Sequence, residues 1–301
     1  MAAVLLRLLG PASLVQDGDT TPVPRNTPAS LLLYLAAAGD WVSRRELAYL
    51  YKPDSSEQGA LAYLRLQLHR AGQYPWADGL EVAAHQVRWP VASDLSELRR
   101  AHKEQRWADA VNAYNGRFLQ GLDGSDWATY ESWLELEREA VASLYRTALH
   151  SHAEELTAAG EHRAAFNARC ALLGEDELDE AALRAVLRAA PAAGQASEAM
   201  RLFARFEKLV AAEFDLTPAA ETVALAAQLR DSGAAASGRT GAPTGPATAA
   251  AEPTAADPAV VPVGGSTAGP ASVARARPSL PQATTRFIGR DAELAELSEL
   301  L

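Results

Sequence analysis

Two short segments of the chain repeat at a distance that few folds permit. AAGEHRAAF occupies residues 158–166 and AAGQASEAM residues 192–200, which places Gly160 and Gly194 34 residues apart. Each glycine is followed five residues later by an alanine and then by a bulky apolar residue. This period, with small residues where helices pack closely, is typical of tetratricopeptide arrays of stacked antiparallel helix pairs. The repeat predicts a helical repeat domain over residues 94–230, in which residues 126–160 form two packed helices or one long bent one.

The first 92 residues follow a different order of patterns. Two β-like runs, VLLRLLG and ASLVQDGD, precede three helical segments, and the alternating segment LEVAAHQVRWPV then predicts a β-hairpin. The helix starts are marked by Thr27 for the first helix, by the capping-box pair Ser43 and Glu46 for the second, and by Ser55 and Gln58 for the third. Because a hairpin follows three helices, the block is expected to form a winged helix-turn-helix, whose third helix reads bases while the hairpin contacts the DNA backbone or minor groove.

The third helix, SSEQGALAYLRLQLHRAG, has two predicted faces. Leu61, Leu64 and Leu68 recur at helical spacing and should face the core. The opposite face would present a mixture of polar and small side chains: Gln58, Ala62, Tyr63, Arg65, Gln67, His69 and Arg70. Such a face suits the edges of bases in a major groove, and it equally suits a helix face in contact with water.

Charge and motifs restrict the classes of function. The net charge of −10 is concentrated in the middle of the chain, whereas residues 1–90 carry eight basic and eight acidic side chains. A nucleic-acid-binding module is therefore expected in the N-terminal block. The sequence contains no GxSxG, HExxH, paired-cysteine or GxxxxGK[ST] motif, so it predicts no enzyme, no metal site and no cofactor.

Two further patterns concern the compartment and the single thiol. The apolar run at residues 2–9 is interrupted by Arg7 and is much shorter than the ~20 residues of a membrane span, which predicts a cytoplasmic protein. Cys170 has Phe166, Leu172 and Leu173 as neighbours, and this pattern favours a buried apolar side chain over a reactive thiol.

The last part of the chain changes composition sharply. Residues 231–286 consist mostly of Ala, Gly, Pro, Thr and Ser, which bury too little apolar surface to offset chain entropy, so a disordered linker is predicted. Residues 287–301, FIGRDAELAELSELL, then place leucines at helical spacing.

The order of these segments resembles the SARP-type bacterial transcriptional activators. The resemblance covers residues 4–230 and rests on LRLLGPASL, SLLLYLAAAGDWVSRRELAYLYKPDSSEQGALAYLRLQL, YNGRFLQGLDGSDWATYESWLELEREAV, the two repeats and LTPAAETVAL. It implies a mainly α fold with a small β component: an OmpR-like winged helix-turn-helix over 1–92, then a tetratricopeptide-like bacterial transcriptional activation domain over 94–230. Residues 287–301 resemble the start of the nucleotide-binding domain in large regulators of this family. The phosphate loop is missing, so no nucleotide activity is implied.

The resemblance also implies functional residues and partners. Arg65, Gln67 and Arg70 would belong to the recognition helix, His85 and Arg88 to the wing, and Arg44 would contact phosphate or form a structural salt bridge. The partners would be double-stranded DNA, RNA polymerase or another protein in the repeat groove, a second copy in a homodimer, and no membrane.

The sequence also departs from the family. Leu61 and Leu66 stand where the family carries arginine, which predicts weak DNA affinity, and Asp215 replaces a glycine near a turn. These leucines and the balanced charge of residues 1–90 leave a second interpretation, in which the protein is a signalling adaptor that does not bind DNA.

Overall fold

The computed structural model describes residues 4–122 and 128–238, with the backbone alone for residues 233–238. Most of the predicted linker and the whole segment 287–301 lie outside the described residues. The elements of the described part are β1 (Leu5–Arg7), β2 (Ser13–Gln16), β3 (Asp19–Pro22), α1 (Thr27–Ala38), β4 (Val42–Ser43), α2 (Arg44–Tyr51), α3 (Glu57–Ala71), β5 (Glu81–Val82), β6 (Gln86–Arg88), β7 (Ala92–Ser93), α4 (Asp94–Lys103), α5 (Trp107–Ala113), α6 (Ala128–Ala158), α7 (His162–Glu175), α8 (Glu180–Ala193), α9 (Ala196–Phe214) and α10 (Ala220–Gly238).

The N-terminal sheet joins the start of the chain to a strand that comes after the hairpin. Its order is β3-β2-β1-β7, in which β1 is antiparallel to β2 and parallel to β7. Leu6 and Leu14 pair across β1 and β2 with their side chains buried. The segment immediately before α4 therefore pairs with the first strand of the chain.

Helices α1 to α3 form the predicted helix-turn-helix, with three differences at their starts. Asn26, and not Thr27, caps α1, and Ser56, and not Ser55, caps α3. Ser43 caps α2 as predicted, but Glu46 accepts a hydrogen bond from Tyr34 Oη at 2.8 Å in place of completing the capping box. Burial raises the pKa of the Tyr34 phenol, which keeps this donor protonated. The side chains at helix starts thus also join helices to each other.

The predicted hairpin is confirmed as the wing. Strands β5 and β6 are antiparallel, and β4 pairs with the other edge of β6, so the second sheet has the order β4-β6-β5. Ala84 and His85 lie at the tip, between the two strands of the hairpin.

The segment NGRFLQG, residues 115–121, crosses the N-terminal sheet. Leu119 N donates to Leu8 O at 2.8 Å, and Gly10 N donates to Arg117 O at 3.1 Å. A Cβ at Gly116 would lie 3.4 Å from Gly10 Cα, so the two backbones approach closely where φ of Gly116 is +145°. This close approach and the positive φ explain why position 116 is a glycine.

The winged helix and the helical part share one hydrophobic core, which extends from Leu6 to Ala148. Its centre is a group of aromatic rings from α1, α2, α6 and the crossing segment: Tyr34, Tyr51, Phe118, Tyr130 and Trp133. Asp94, the first residue of α4, is 9% exposed and accepts hydrogen bonds from Leu8 N at 2.7 Å and Leu9 N at 3.1 Å. The predicted boundary between residues 92 and 94 therefore falls where β7 joins α4, inside a packed region.

The repeats form the second half of the described chain. Residues 128–158 are one helix, α6, and Gly160 and Gly194 end α6 and α8 at positive φ. Helices α7 to α10 enclose a second core around Phe166, Leu183 and Phe203. Helix α10 packs on α8 and α9 and continues through residues 231–238, where the sequence predicted the linker. The predicted fold class, a winged helix followed by helical repeats, is confirmed.

Candidate nucleic-acid interface

Helix α3 buries one row of side chains and exposes another. The buried row is Ala60, Leu64, Gln67, Leu68 and Ala71, with Leu61 partly buried beside it. The prediction that Gln67 lies on the exposed face is therefore wrong: its side chain is 3% exposed and follows Leu64 at the i+3 position of the core stripe. Its Oε1 is buried without a hydrogen-bond partner among the described residues.

The exposed row of α3 includes Arg65 and Arg70, which the resemblance predicts to contact DNA. Its members are Gln58, Ala62, Arg65, Leu66, His69 and Arg70. Among the described residues, no hydrogen bond or ion pair engages the guanidinium of Arg65 or Arg70. His69 Nε2 lies 3.2 Å from Gln73 Nε2 on the next turn. The two guanidinium groups can therefore meet an external anion without first breaking an ion pair.

A cleft of about 610 Å³ opens between α2, α3 and the tip of the wing. Its lining includes Arg44, Arg45, Arg65 and His85. Arg44 N donates to His85 O at 2.9 Å, and Arg44 Nη1 lies 3.4 Å from both Ala83 O and Ala84 O. Arg44 therefore joins the start of α2 to the wing through carbonyl groups and forms no salt bridge in the described part of the chain.

Arg45 is a cleft residue that the sequence analysis missed. Its side chain is 78% exposed, and its Nε donates to Glu57 Oε1 at 2.6 Å. The two residues belong to different helices, and the only local signal was that Arg45 follows Arg44 at a helix start. An exposed ion pair of this kind contributes little stability, so Glu57 can release Arg45 to a phosphate at small cost.

The two wing residues, His85 and Arg88, differ in their contacts with the rest of the protein. His85 is exposed at the hairpin tip. Arg88 Nη2 donates to Glu81 Oε2 at 2.9 Å, and its guanidinium carbon lies 4.5 Å from the ring centroid of Trp41. Arg88 therefore holds β5, β6 and the turn after α1 together, and Glu81 neutralises much of its charge.

The helical repeats expose a second concave surface. A cavity of about 560 Å³ lies where the turns after α6 and α8 approach each other. Its lining includes Glu161, His162, Arg163, Asn167 and Ala193. This combination of charged, amide and small groups is suited to a polar segment of another protein.

In residues 4–122 and 128–238, no three His, Cys, Asp or Glu side chains are grouped as metal ligands would be. Over the same residues, no helix combines the length and apolar character needed to cross a membrane.

The described part of the chain thus joins a winged helix, with a cleft beside α3, to a set of helical repeats. Residues 85–230 match the family of the bacterial transcriptional activator domain. The predicted resemblance to the SARP-type bacterial activators is confirmed by this match.

Comparisons with whole proteins give a weak structural similarity and no match to a curated protein. No curated protein matches the chain. Among solved structures, Mycobacterium tuberculosis EmbR in complex with a low-affinity phosphopeptide is similar at 20% identity with a TM-score of 0.47. The similar region covers 77% of this chain and 66% of that one, so the chain spans slightly less than two thirds of the length of EmbR.

Proposed function

We propose that this protein regulates transcription by binding double-stranded DNA through α3 and the wing. The observation that carries the proposal is the pair of guanidinium groups, Arg65 and Arg70, on the exposed row of α3, neither of which has a partner among the described residues. A major groove about 12 Å wide admits an α-helix, and arginine is the commonest side chain to contact guanine there. Arg44, Arg45 and His85 line the cleft beside α3, where the DNA backbone would pass.

The balance of charge implies modest affinity. Arg45 and Arg88 are paired with Glu57 and Glu81, so few cations are free to neutralise phosphates. Because log K falls with log salt by about 0.9 for each phosphate neutralised, we expect a shallow salt dependence and weak binding by a single copy.

Selection of genomic fragments by the purified full chain tests the proposal. The best fragment is then titrated with protein at several salt concentrations, using the wild type and the double variant Arg65→Ala/Arg70→Ala. We expect the double variant to bind more weakly and to reduce the salt slope by up to about 2, because each guanidinium can neutralise one phosphate.

Arg230→Ala is the matched control for this experiment. Arg230 is also exposed on a helix and, among the described residues, forms no hydrogen bond or ion pair, but it lies on α10, outside the winged helix and outside the cavity of the repeats. If Arg230→Ala weakened binding as much per arginine as the double variant does, binding would depend on overall charge and not on α3, and the proposal would be contradicted.

An adaptor without DNA binding is the second candidate. It is favoured by the burial of Gln67 and by the acidic partners of Arg45 and Arg88, which reduce the polar and cationic groups available to DNA. If selection enriches no motif and only weak binding at low salt remains, the adaptor becomes the better account.

In either case we propose that the repeats bind protein. The cavity beside Arg163 and Asn167 is a suitable site for RNA polymerase or for a second copy of the chain, and this role would be carried out in the cytoplasm. Sedimentation of the full chain with and without purified RNA polymerase separates the two partners. Arg163→Glu should weaken whichever complex forms, and an unchanged complex would exclude this cavity.

A further inference from the structure

Leu66 is an apolar side chain in the middle of the exposed row of α3. It is 45% exposed, although the other leucines of this helix face the core or lie beside it. A single exposed leucine is common on protein surfaces and by itself indicates nothing. Its surroundings distinguish this one, because it lies between the two arginines whose guanidinium groups are unpaired among the described residues.

The spacing of the exposed residues places Leu66 on a definite line. Gln58, Ala62, Leu66 and Arg70 follow one another at intervals of four residues, so their side chains form one row along the helix. At 1.5 Å per residue this row is ~18 Å long, about the length of five base steps. From its N-terminal end, the row presents an amide, a methyl group, an isobutyl group and a guanidinium.

Each of these groups has a different complement in the major groove. Guanidinium pairs with guanine O6 and N7, and an amide pairs with adenine N6 and N7, whereas an apolar group contacts the C5-methyl of thymine. Ala62 is too short to fill the space on one side of Leu66, and the isobutyl group is therefore the one that extends farthest from the helix between the polar ends of the row. With Gln67 in the core, no amide of α3 after Gln58 is available at this level.

We propose that Leu66 selects thymine in the target site by packing against its C5-methyl group, with Arg65 and Arg70 contacting guanine or phosphate on either side. The leucine that stands in place of a family arginine then changes the base that is read and does not abolish recognition. This inference rests on the proposed DNA binding and names the base class that the same helix recognises.

Replacement of thymine by uracil tests the contact directly, because uracil lacks only the C5-methyl group. In the selected fragment, each thymine of the enriched motif is replaced singly by uracil, and the affinity of the full chain is measured at constant salt. Loss of one buried methyl should weaken wild-type binding about fourfold at one position. The same replacement should leave the affinity of Leu66→Ala and Leu66→Gln unchanged, because the partner of the methyl group is already absent.

Leu136→Ala is the matched control, since Leu136 is 74% exposed on α6 and lies outside the winged helix. This variant should retain the full effect of uracil. Leu66→Ala should also retain the salt slope of the wild type, which shows that it folds and still contacts phosphate.

The outcomes separate this inference from the proposed function. Salt-dependent binding to a motif whose thymines all tolerate uracil, or whose uracil effect persists in both Leu66 variants, would overturn the role of Leu66 and leave DNA binding intact. Failure to enrich any motif would overturn both.

Discussion

Arg138 provides a quantitative test of how α6 is joined to the segment 115–121 that crosses the N-terminal sheet. Its side chain is 4% exposed, and it donates from Nε to Phe118 O and from Nη2 to Leu119 O, both at 3.0 Å. These carbonyls belong to the crossing segment 115–121, so one α6 side chain fixes the segment that covers the N-terminal sheet. We therefore expect Arg138→Ala to destabilise the fold strongly.

The magnitude follows from the individual bonds. A hydrogen bond to a charged group contributes about 1.5–3 kcal/mol, and truncation leaves both carbonyls buried without this donor. The ion pair with Glu135, whose side chain is 60% exposed, adds little. Two such bonds sum to about 3–6 kcal/mol in the free energy of unfolding, which for a urea m-value of about 2–3 kcal/mol/M lowers the midpoint by roughly 1–3 M.

Tryptophan fluorescence is the appropriate assay. All six tryptophans lie between residues 41 and 133, whereas the second core, around Phe166 and Phe203, contains none. Fluorescence therefore reports unfolding of the first core, and far-UV circular dichroism adds the helical repeats. Arg146→Ala is the control on the same helix, because its ion pair with Glu139 is exposed and should contribute less than about 0.5 kcal/mol. Equal midpoint shifts for the two variants would refute the reasoning.

Two further predictions concern titratable groups. Burial raises the pKa of Asp94 above 3.8 against the lowering effect of its amide donors, so the folded state binds this proton more readily than the unfolded state. The free energy of unfolding of the wild type, relative to that of Asp94→Asn, should therefore fall as the pH rises from below 3.8 to neutrality. Urea unfolding of both proteins over this pH range measures it. If the wild type instead became more stable relative to Asp94→Asn as the pH rises, the amide donors would outweigh burial and the reasoning would be wrong. Burial also raises the pKa of Cys170 from 9.0 to about 11, so at pH 8 iodoacetamide should alkylate the native thiol about 100-fold more slowly than the urea-unfolded one. Equal rates would contradict the partial burial of this side chain.

The sequence predicted the elements of the fold better than their contacts. Helix periodicity and the hairpin pattern are local, and both were confirmed. Pairing of β7 with β1 joins residues more than 80 positions apart, and no local pattern shows that Asp94 accepts hydrogen bonds from Leu8 and Leu9. For this reason the structure has one continuous core at the position where the sequence suggested a boundary.

In the candidate site, too, the features set by local spacing could be predicted and those set by tertiary contacts could not. The prediction for Gln67 is wrong because the spacing of this residue, and not the polarity of its side chain, decides which face of α3 it occupies. Ala60, Leu64, Gln67 and Ala71 follow the helical core pattern. The pairing of Arg88 with Glu81 could have been predicted, since a hairpin centred on residues 84 and 85 places the two opposite each other. The Arg45–Glu57 pair joins two helices and requires the tertiary structure.

Protection of guanine N7 from methylation is the measurement that tests DNA recognition by α3 most directly, because N7 faces the major groove. The selected fragment is treated with dimethyl sulfate in the presence of the full chain and of Arg65→Ala/Arg70→Ala. The account predicts protection of guanines within the enriched motif by the wild type and loss of that protection in the double variant. Protection that is absent, or that persists unchanged in the double variant, would contradict the placement of α3 in the major groove.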